Sequence, residues 1–399
     1  MHNNCCDITQ IKTPCFVMDE AEFKNGITQF YSALHQRFDK AIVGYSVKTN
    51  SLPYALAKAK EHQCFAEVVS DDEFELALEC GYPVSQIIFN GPMKSKPRFL
   101  EAIQSGAIVN IETHREIEWL AELPNDKLYN VGIRVSVNIS EVSPQDADGD
   151  NDFSRFGFND STPELANAIA AIQSLSQVRL SGIHIHRTSH SRSLRFYQSS
   201  VDYAARIIQK YQLQLDYIDL GGGYYGIFRN APTFDDYASA IYDTLKQYNL
   251  QHLAIIVEPG NALTAAAFQY YTTVIDVKHT PTCHILTTDG SRNDLDPFYR
   301  KSSYLITTLP QAQSPHIPLQ IVAGATCLEY DQICQLKDAP ALQVGDIIYY
   351  NNVGAYTLTL SPMFINYFPR VYALGEEVLV LVREKWTAKE YIQKSKTQL

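Results

Sequence analysis

Hydrophobic positions along this chain follow two alternating rhythms. Between about residues 26 and 265, compact apolar runs such as AEVVS, QIIFNG, AIVNIET, VGIRVSV, LSGIHIH, LDYIDLGGG and LAIIVEPGN read as strands. The stretches among them, including DDEFELALECG, HREIEWLAEL, TPELANAIAAIQSL, LRFYQSSVDYAARIIQKYQL and FDDYASAIYDTLKQY, place apolar residues at three- and four-residue spacing and read as helices. DDEFELALECG opens on acidic residues and closes at Gly81, as the helix dipole and a glycine C-cap favour. Strands separated by helices of roughly ten to fifteen residues predict parallel βαβ units. About seven or eight units in succession favour a TIM-like (β/α)8 barrel over an open doubly wound sheet.

After about residue 266 the helical period fades. YYTTVIDVK, CHILTTDG, LQIVAGATC, DIIYYNNVGAY and EVLVLVRE are β-rich and separated by turns, which predicts an all-β domain at the C-terminal end of an α/β chain. TPCFVMDEAEF near the start is also strand-like and suits pairing with that domain. The expected division is therefore a barrel over 26–265 and a β domain over 1–25 and 266–399. The polar run NISEVSPQDADGDNDFS reads as a mobile loop after a barrel strand.

Composition narrows the partners. The 399 residues are 45% hydrophobic, enough for a large core, and the formal charge of −11 with no long basic block disfavours nucleic acid or a polybasic membrane contact. A small-molecule partner is the better expectation. MHNNCCDITQIKTP lacks a signal-peptide core and no apolar run is long enough to cross a bilayer, so the expected location is the cytoplasm. The eight cysteines form no CxxC pair and no zinc-type spacing. They are expected to be reduced thiols, and no metal is expected.

In a barrel, chemistry collects at the C-terminal ends of the strands. Lys48, Glu67, Arg134, His184, His186, the triple glycine 221–223 and Glu258 all fall at such ends. A single lysine there is usually a snorkelling surface charge, but in a partly desolvated pocket it could serve as a Schiff-base amine. Three glycines after a strand let backbone N–H groups approach a phosphate, and they lack the GxGxxG spacing of a dinucleotide fingerprint. His184 and His186 share one face of their strand with no third metal ligand evident from spacing.

The order of YSVKTN, FAEVVSDDEFELAL, GIHIHRTS, DLGGGYYG, VEPGN, GATCLEYD and GAYT resembles the pyridoxal-phosphate-dependent decarboxylases of the ornithine/diaminopimelate type, which have the alanine-racemase fold. The resemblance runs from about residue 12 to 380. It implies pyridoxal 5'-phosphate as cofactor, an amino acid as substrate, loss of its α-carboxylate as carbon dioxide, and a homodimer with shared active sites. By the same resemblance, Lys48 is the Schiff-base lysine and His186 the imidazole stacked on the ring. Glu67 lies near Lys48, Glu258 faces the pyridine nitrogen, and Ser189, Gly221, Gly222, Gly223, Gly260, Asn261 and Tyr356 surround the phosphate. Cys327 is the implied proton donor, and Tyr299, Arg300, Glu329 and Asp331 are the implied substrate contacts.

Several positions depart from the family pattern. Asn261 stands where relatives carry the arginine of EPGR, Thr188 where they carry the glycine of HxGS, and Leu328 where they carry an acidic residue after the cysteine. Arg300 follows Tyr299 where ornithine-type enzymes place an aspartate. Two carboxylates lost and a guanidinium gained disfavour a diamine precursor and favour a distal carboxylate or a larger conjugated amino acid. A racemase of the same fold and a non-catalytic pyridoxal-phosphate-binding homologue are the alternatives. Glu258 argues against the first, because those racemases set an arginine at the ring nitrogen. Retained Lys48, His186, Glu258 and Cys327 argue against the second.

Overall fold

The computed structural model describes residues 11–147, 154–187, 191–226 and 230–396, with the exception of 377. It divides into two compact units, one of Lys24–Leu263 and one formed by the chain up to Phe23 together with Thr264 onward. The first described elements are strand β1 (Cys15–Asp19) and helix α1 (Glu20–His35).

In the unit of Lys24–Leu263, strands β2 (Ala41–Ser46), β3 (Phe65–Ser70), β4 (Ile87–Met93), β5 (Ile108–Ile111), β6 (Tyr129–Arg134), β7 (Val178–His184), β8 (Tyr217–Asp219) and β9 (Ala254–Val257) form a closed barrel. Every pairing is parallel, and closure comes from β9 against β2, with Ala41 opposite Ile255 and Val43 opposite Val257. Between the strands run α2 (Pro53–Glu61), α3 (Asp71–Glu79), α4 (Lys96–Gln104), α5 (His114–Leu120), α6 (Ile139–Val142), α7 (Glu164–Gln173), α8 (Leu194–Lys210) and α9 (Phe234–Gln247). Local chemistry starts these helices where strands end. Ser70 caps α3 by accepting from the Glu73 N–H, Glu116 accepts from the Thr113 N–H at the start of α5, and a reciprocal capping box joins Thr233 to Asp236. The α8 face of Phe196, Tyr197, Val201, Ala204, Ala205 and Ile208 is buried, which is the stripe its periodicity predicts.

The polar run after β6 departs from the mobile-loop expectation where it is described. Asn138 caps the single turn of α6, and Ser143 opens a 3-10 turn over Pro144–Asp146. Asp146 is buried, accepting from Ser143 and Ser193 hydroxyls at 2.5 and 2.9 Å. Residues 148–153 of that run lie outside the described residues.

After α10 (Asn261–Thr264), the second unit is built on β10 (Phe268–His279), β11 (His284–Thr288), β12 (Leu305–Leu309), β13 (His316–Ala323), β14 (Gln332–Pro340), β15 (Ile347–Asn351), β16 (Arg370–Leu374) and β17 (Leu379–Arg383). With β1 they make a nine-stranded mixed sheet. The N-terminal strand lies between β10, to which it is antiparallel, and β16, to which it is parallel. A bulge at Val274/Asp276 marks where β10 passes from pairing with β15 to pairing with β11. β12, β14 and β16 were not legible as strands in the hydrophobic pattern: β12 and β14 are partly or fully exposed along nearly their whole length, and β16 is only five residues long although buried at Val371, Tyr372 and Ala373. The short helices α11 (Arg292–Leu295) and α12 (Ala388–Tyr391) complete the fold. Among the described residues, no helix is long and apolar enough to cross a membrane.

Candidate active site

β2 ends at Ser46, and the chain turns at once into a 3-10 segment, Val47–Thr49, that carries Lys48. Neighbouring Val47 and Thr49 are buried, so Lys48 is anchored on both sides while its amine remains partly exposed. That amine lies 2.6 Å from Glu67 Oε2, and the same oxygen accepts the Ser46 hydroxyl at 2.8 Å. Glu67 itself is buried in β3, so the ion pair has a dry side and a wet side.

The amine opens onto a cavity of about 520 Å³ lined by Glu67, Asn90, Arg134, His184, His186 and Glu258, with Arg155, Phe156 and Arg187. His186 accepts the Gly222 N–H at Nδ1, at 3.2 Å, which leaves the proton of the neutral ring on Nε2. Burial first, then Arg134 and Lys48, push its pKa down to about 3. Arg134 is held by Glu112 at 2.9 Å, reaches the His186 carbonyl at 3.3 Å, and stacks its guanidinium 4.8 Å from the centre of the Phe156 ring.

Behind the cavity the barrel interior is polar. Glu258, just past β9, is 4% exposed, and its pKa stands well above the ordinary carboxylate range, first from burial and then from the carboxylates of Asp219 and Glu67. Burial likewise pushes Asp219 up to about 7. Among the described residues His184 is buried with neither ring nitrogen hydrogen-bonded, and its Nε2 lies 3.8 Å from Glu258 Oε2. His184, Asp219 and Glu258 bring ligand-type atoms within 4.8 Å of one another, a grouping invisible in the His184/His186 spacing. Its carboxylates already accept from Asn90, Asn110 and the Gly221 N–H.

In the glycine run the Gly221 N–H donates to Asp219 Oδ1 at 3.0 Å and the Gly222 N–H to His186 Nδ1. The run also permits close packing. A Cβ on Gly221 (φ +63°) would overlap the His186 ring, and one on Gly222 would come within 2.5 Å of the Glu258 carbonyl oxygen. Tyr197 fastens the turn by donating to the Gly222 carbonyl at 2.9 Å. Gly260 is likewise flush with the Thr49 hydroxyl, and Asn261 opens α10. Ser189 and Thr188 lie outside the described residues.

The remaining expected residues belong to the β unit. Cys327, Glu329, Arg300 and Tyr356 are exposed, and Tyr356 has a left-handed φ of 56°. Tyr299, also left-handed at 54°, donates to Asn293 Oδ1 at 2.8 Å, and Arg300 stacks on Phe298. Asp331 is 2% exposed, and its carboxylate accepts from the Ser291 hydroxyl, the Arg292 N–H, and the N–H and hydroxyl of Thr326. Those donors make it a structural brace for the turn that carries Cys327.

Asn90, Asn110 and Asp219 are the site residues that reading the sequence passed over. Their signal was present: each is a polar residue embedded in an apolar strand run, as in QIIFNG, AIVNIET and YIDLGGG. A lysine amine on one carboxylate, a neutral imidazole and a buried acid seeking a cation together fit pyridoxal 5'-phosphate, an aldehyde with a basic ring nitrogen. Fold and cavity therefore define a barrel enzyme of the pyridoxal-phosphate class.

The comparisons narrow that class. Residues 24–265 match the family described as pyridoxal-dependent decarboxylase, pyridoxal binding domain, and the chain belongs to that family. It is a pyridoxal-phosphate-dependent amino-acid decarboxylase. Diaminopimelate decarboxylase of Methanocaldococcus jannaschii is 23% identical, over 96% of this chain and 91% of the relative. Its crystal structure shares the fold with a TM-score of 0.86, covering 98% of this chain and 94% of that one. The L-glutamyl-[BtrI acyl-carrier protein] decarboxylase of Niallia circulans is 26% identical over 96% of this chain and 94% of its own.

Proposed function

We propose that this enzyme removes the α-carboxylate of an amino acid whose far end is anionic or conjugated, working as a cytoplasmic homodimer with shared active sites. The observation that carries the substrate reading is the balance of charge around the cavity. Its carboxylates, Glu67 and Glu258, are engaged by Lys48 and by Asn90, whereas Arg155 and Arg187 join Arg134 on the lining. A distal ammonium entering there meets like charge, and a distal carboxylate meets guanidinium donors. The similarity to a diaminopimelate decarboxylase and to a decarboxylase of a carrier-bound glutamyl group supports the same reading.

Bound pyridoxal phosphate supplies the electron sink that accepts the Cα–carboxylate bonding pair as carbon dioxide departs. Lys48 is the amine that carries the cofactor aldehyde between turnovers, and Glu67 holds that amine at the mouth of the barrel and exchanges a proton with its Nζ. His186 covers one side of the cavity with a neutral ring, which excludes water without adding a competing positive charge. Glu258 would give its proton to the ring nitrogen and, as the resulting carboxylate, hold that nitrogen cationic. Cys327 of the partner subunit protonates the substrate carbon at its Sγ–H.

The test is a substrate panel scored by released carbon dioxide and product mass: meso-diaminopimelate, a carrier-bound glutamyl group, lysine, ornithine and arginine. One of the first two is expected to turn over fastest. Faster turnover of ornithine or arginine would overturn the proposed substrate class.

A further inference from the structure

Residues of β3, β4, β5 and β8, with Glu258 just past β9, form one polar chain inside the barrel. Asn90 of β4 donates from a single nitrogen, Nδ2, to Glu67 Oε1 at 3.2 Å and to Glu258 Oε1 at 2.5 Å. Its Oδ1 accepts from Asn110 Nδ2 of β5 at 2.8 Å, and that nitrogen also donates to Asp219 Oδ2 of β8 at 3.0 Å. The Tyr217 hydroxyl, also of β8, closes the chain on Asn110 Oδ1 at 3.0 Å. The other strands make room. A Cβ on Gly132 of β6 would overlap Asn110 and Tyr217, one on Gly182 of β7 would overlap the Tyr217 ring, and one on Gly44 of β2 would press on the Ile88 side chain.

The direction of the Asn90 amide follows from its neighbours. Glu67, ion-paired with Lys48, accepts, so the Asn90 nitrogen faces it, and the Asn90 oxygen then faces the Asn110 nitrogen. Asn110 is oriented the same way by Asp219 on one side and by the tyrosine hydroxyl on the other. A core of this size would ordinarily be filled with branched apolar side chains. Here the volume holds fully buried Asn90 and Asn110, whose hydrogen bonds end on the carboxylate beside Lys48 and the carboxylate past β9.

We propose that Asn90 is a positioning residue for the decarboxylation: one amide orients Glu67 and Glu258 together, so that the lysine end and the ring-nitrogen end of the cofactor site are aligned as a unit. The inference rests on the roles given above to Lys48 and Glu258. Neither carboxylate can rotate away without breaking its bond to the shared nitrogen. Asn110 transmits the same constraint to Asp219, the acid that crowds Glu258.

The test uses the cofactor-loaded enzyme and the variants Asn90→Ala, Asn90→Ser and Glu258→Gln. For Asn90→Ala, kcat should fall roughly 10- to 100-fold, the range seen when groups behind a site's ligands are removed. KM should change far less, the mark of an interaction made in the transition state. The pH midpoint of the bound cofactor's visible absorbance should move, and the serine hydroxyl of Asn90→Ser, a donor for one carboxylate, should recover part of both effects. A merely structural Asn90 would lower the melting temperature of both Asn90 variants and leave kcat and the absorbance midpoint at wild-type values, which overturns the proposal. If Glu258→Gln leaves the absorbance titration unchanged, the role of Glu258 itself fails. If Glu258→Gln shifts it and neither Asn90 variant does, only the role of Asn90 fails.

Discussion

His186 shows how one side chain ties stability to chemistry. Buried and neutral against the Gly222 N–H, it resists protonation down to about pH 3, while an imidazole in the unfolded chain takes its proton near pH ~6.5. Between those values the unfolded state binds more protons, so stability is lost as pH falls through that window. Asp219 works in the opposite sense. Raised to about 7, it holds a proton that the unfolded chain releases near pH ~4, so its contribution falls as pH rises between them. In cofactor-free protein, His186→Gln is therefore expected to flatten the acid limb between about pH 6.5 and 3, read as denaturant midpoints across that range. An acid limb of unchanged slope would show that this imidazole is not buried neutral.

At the level of elements, the barrel strands divide their labour between polar donors and empty space. Gly132 in β6 sits where Asn110 and Tyr217 converge, with no room for a methyl group. Gly132→Ala is expected to destabilise the fold by about 1–3 kcal/mol, the usual cost of overpacking a tight interior. It should also weaken pyridoxal phosphate binding, because the strain is relieved by moving Asn110. Chemical denaturation and cofactor titration of the same preparation check both effects. Wild-type stability would mean that the polar chain gives way easily. The strands and helices around this interior were legible in the hydrophobic rhythm because burial on one face repeats at a fixed period. The β unit was less legible: β14 alternates buried and exposed positions only loosely, and β12 has no fully buried residue. Periodicity weakens where a strand is solvated on one side.

For the whole molecule, Lys48 and Cys327 belong to different compact units of the chain. Under the proposed shared-site homodimer, each complete site takes Lys48 from one subunit and Cys327 from its partner. Lys48→Ala and Cys327→Ala proteins should each form little amine product alone. Mixed and reassociated, half of the dimers are hybrids with one intact site of two, so amine formation should return to about a quarter of wild type. Amine formation no greater than the sum of the separate variants would place both residues in one subunit's site.

The sequence by itself determined the barrel, the β domain and the residues at the strand ends, because hydrophobic period and motif order are local properties of the chain. It marked Lys48, Glu67, His186 and Glu258, and it exposed the substitutions at Asn261, Leu328 and Arg300 that turn attention to the substrate. It left open which partners already hold the Asp331 carboxylate and the Gly221 and Gly222 amides, since a motif names a residue and not its neighbours. Only the tertiary structure decided that Asn90 meets Glu67 from 23 residues away and Glu258 from 168, and that Asn110 meets Asp219 from 109. Those partners lie on different strands, and barrel closure brings them within hydrogen-bond reach in an interior where a buried polar group must find a partner.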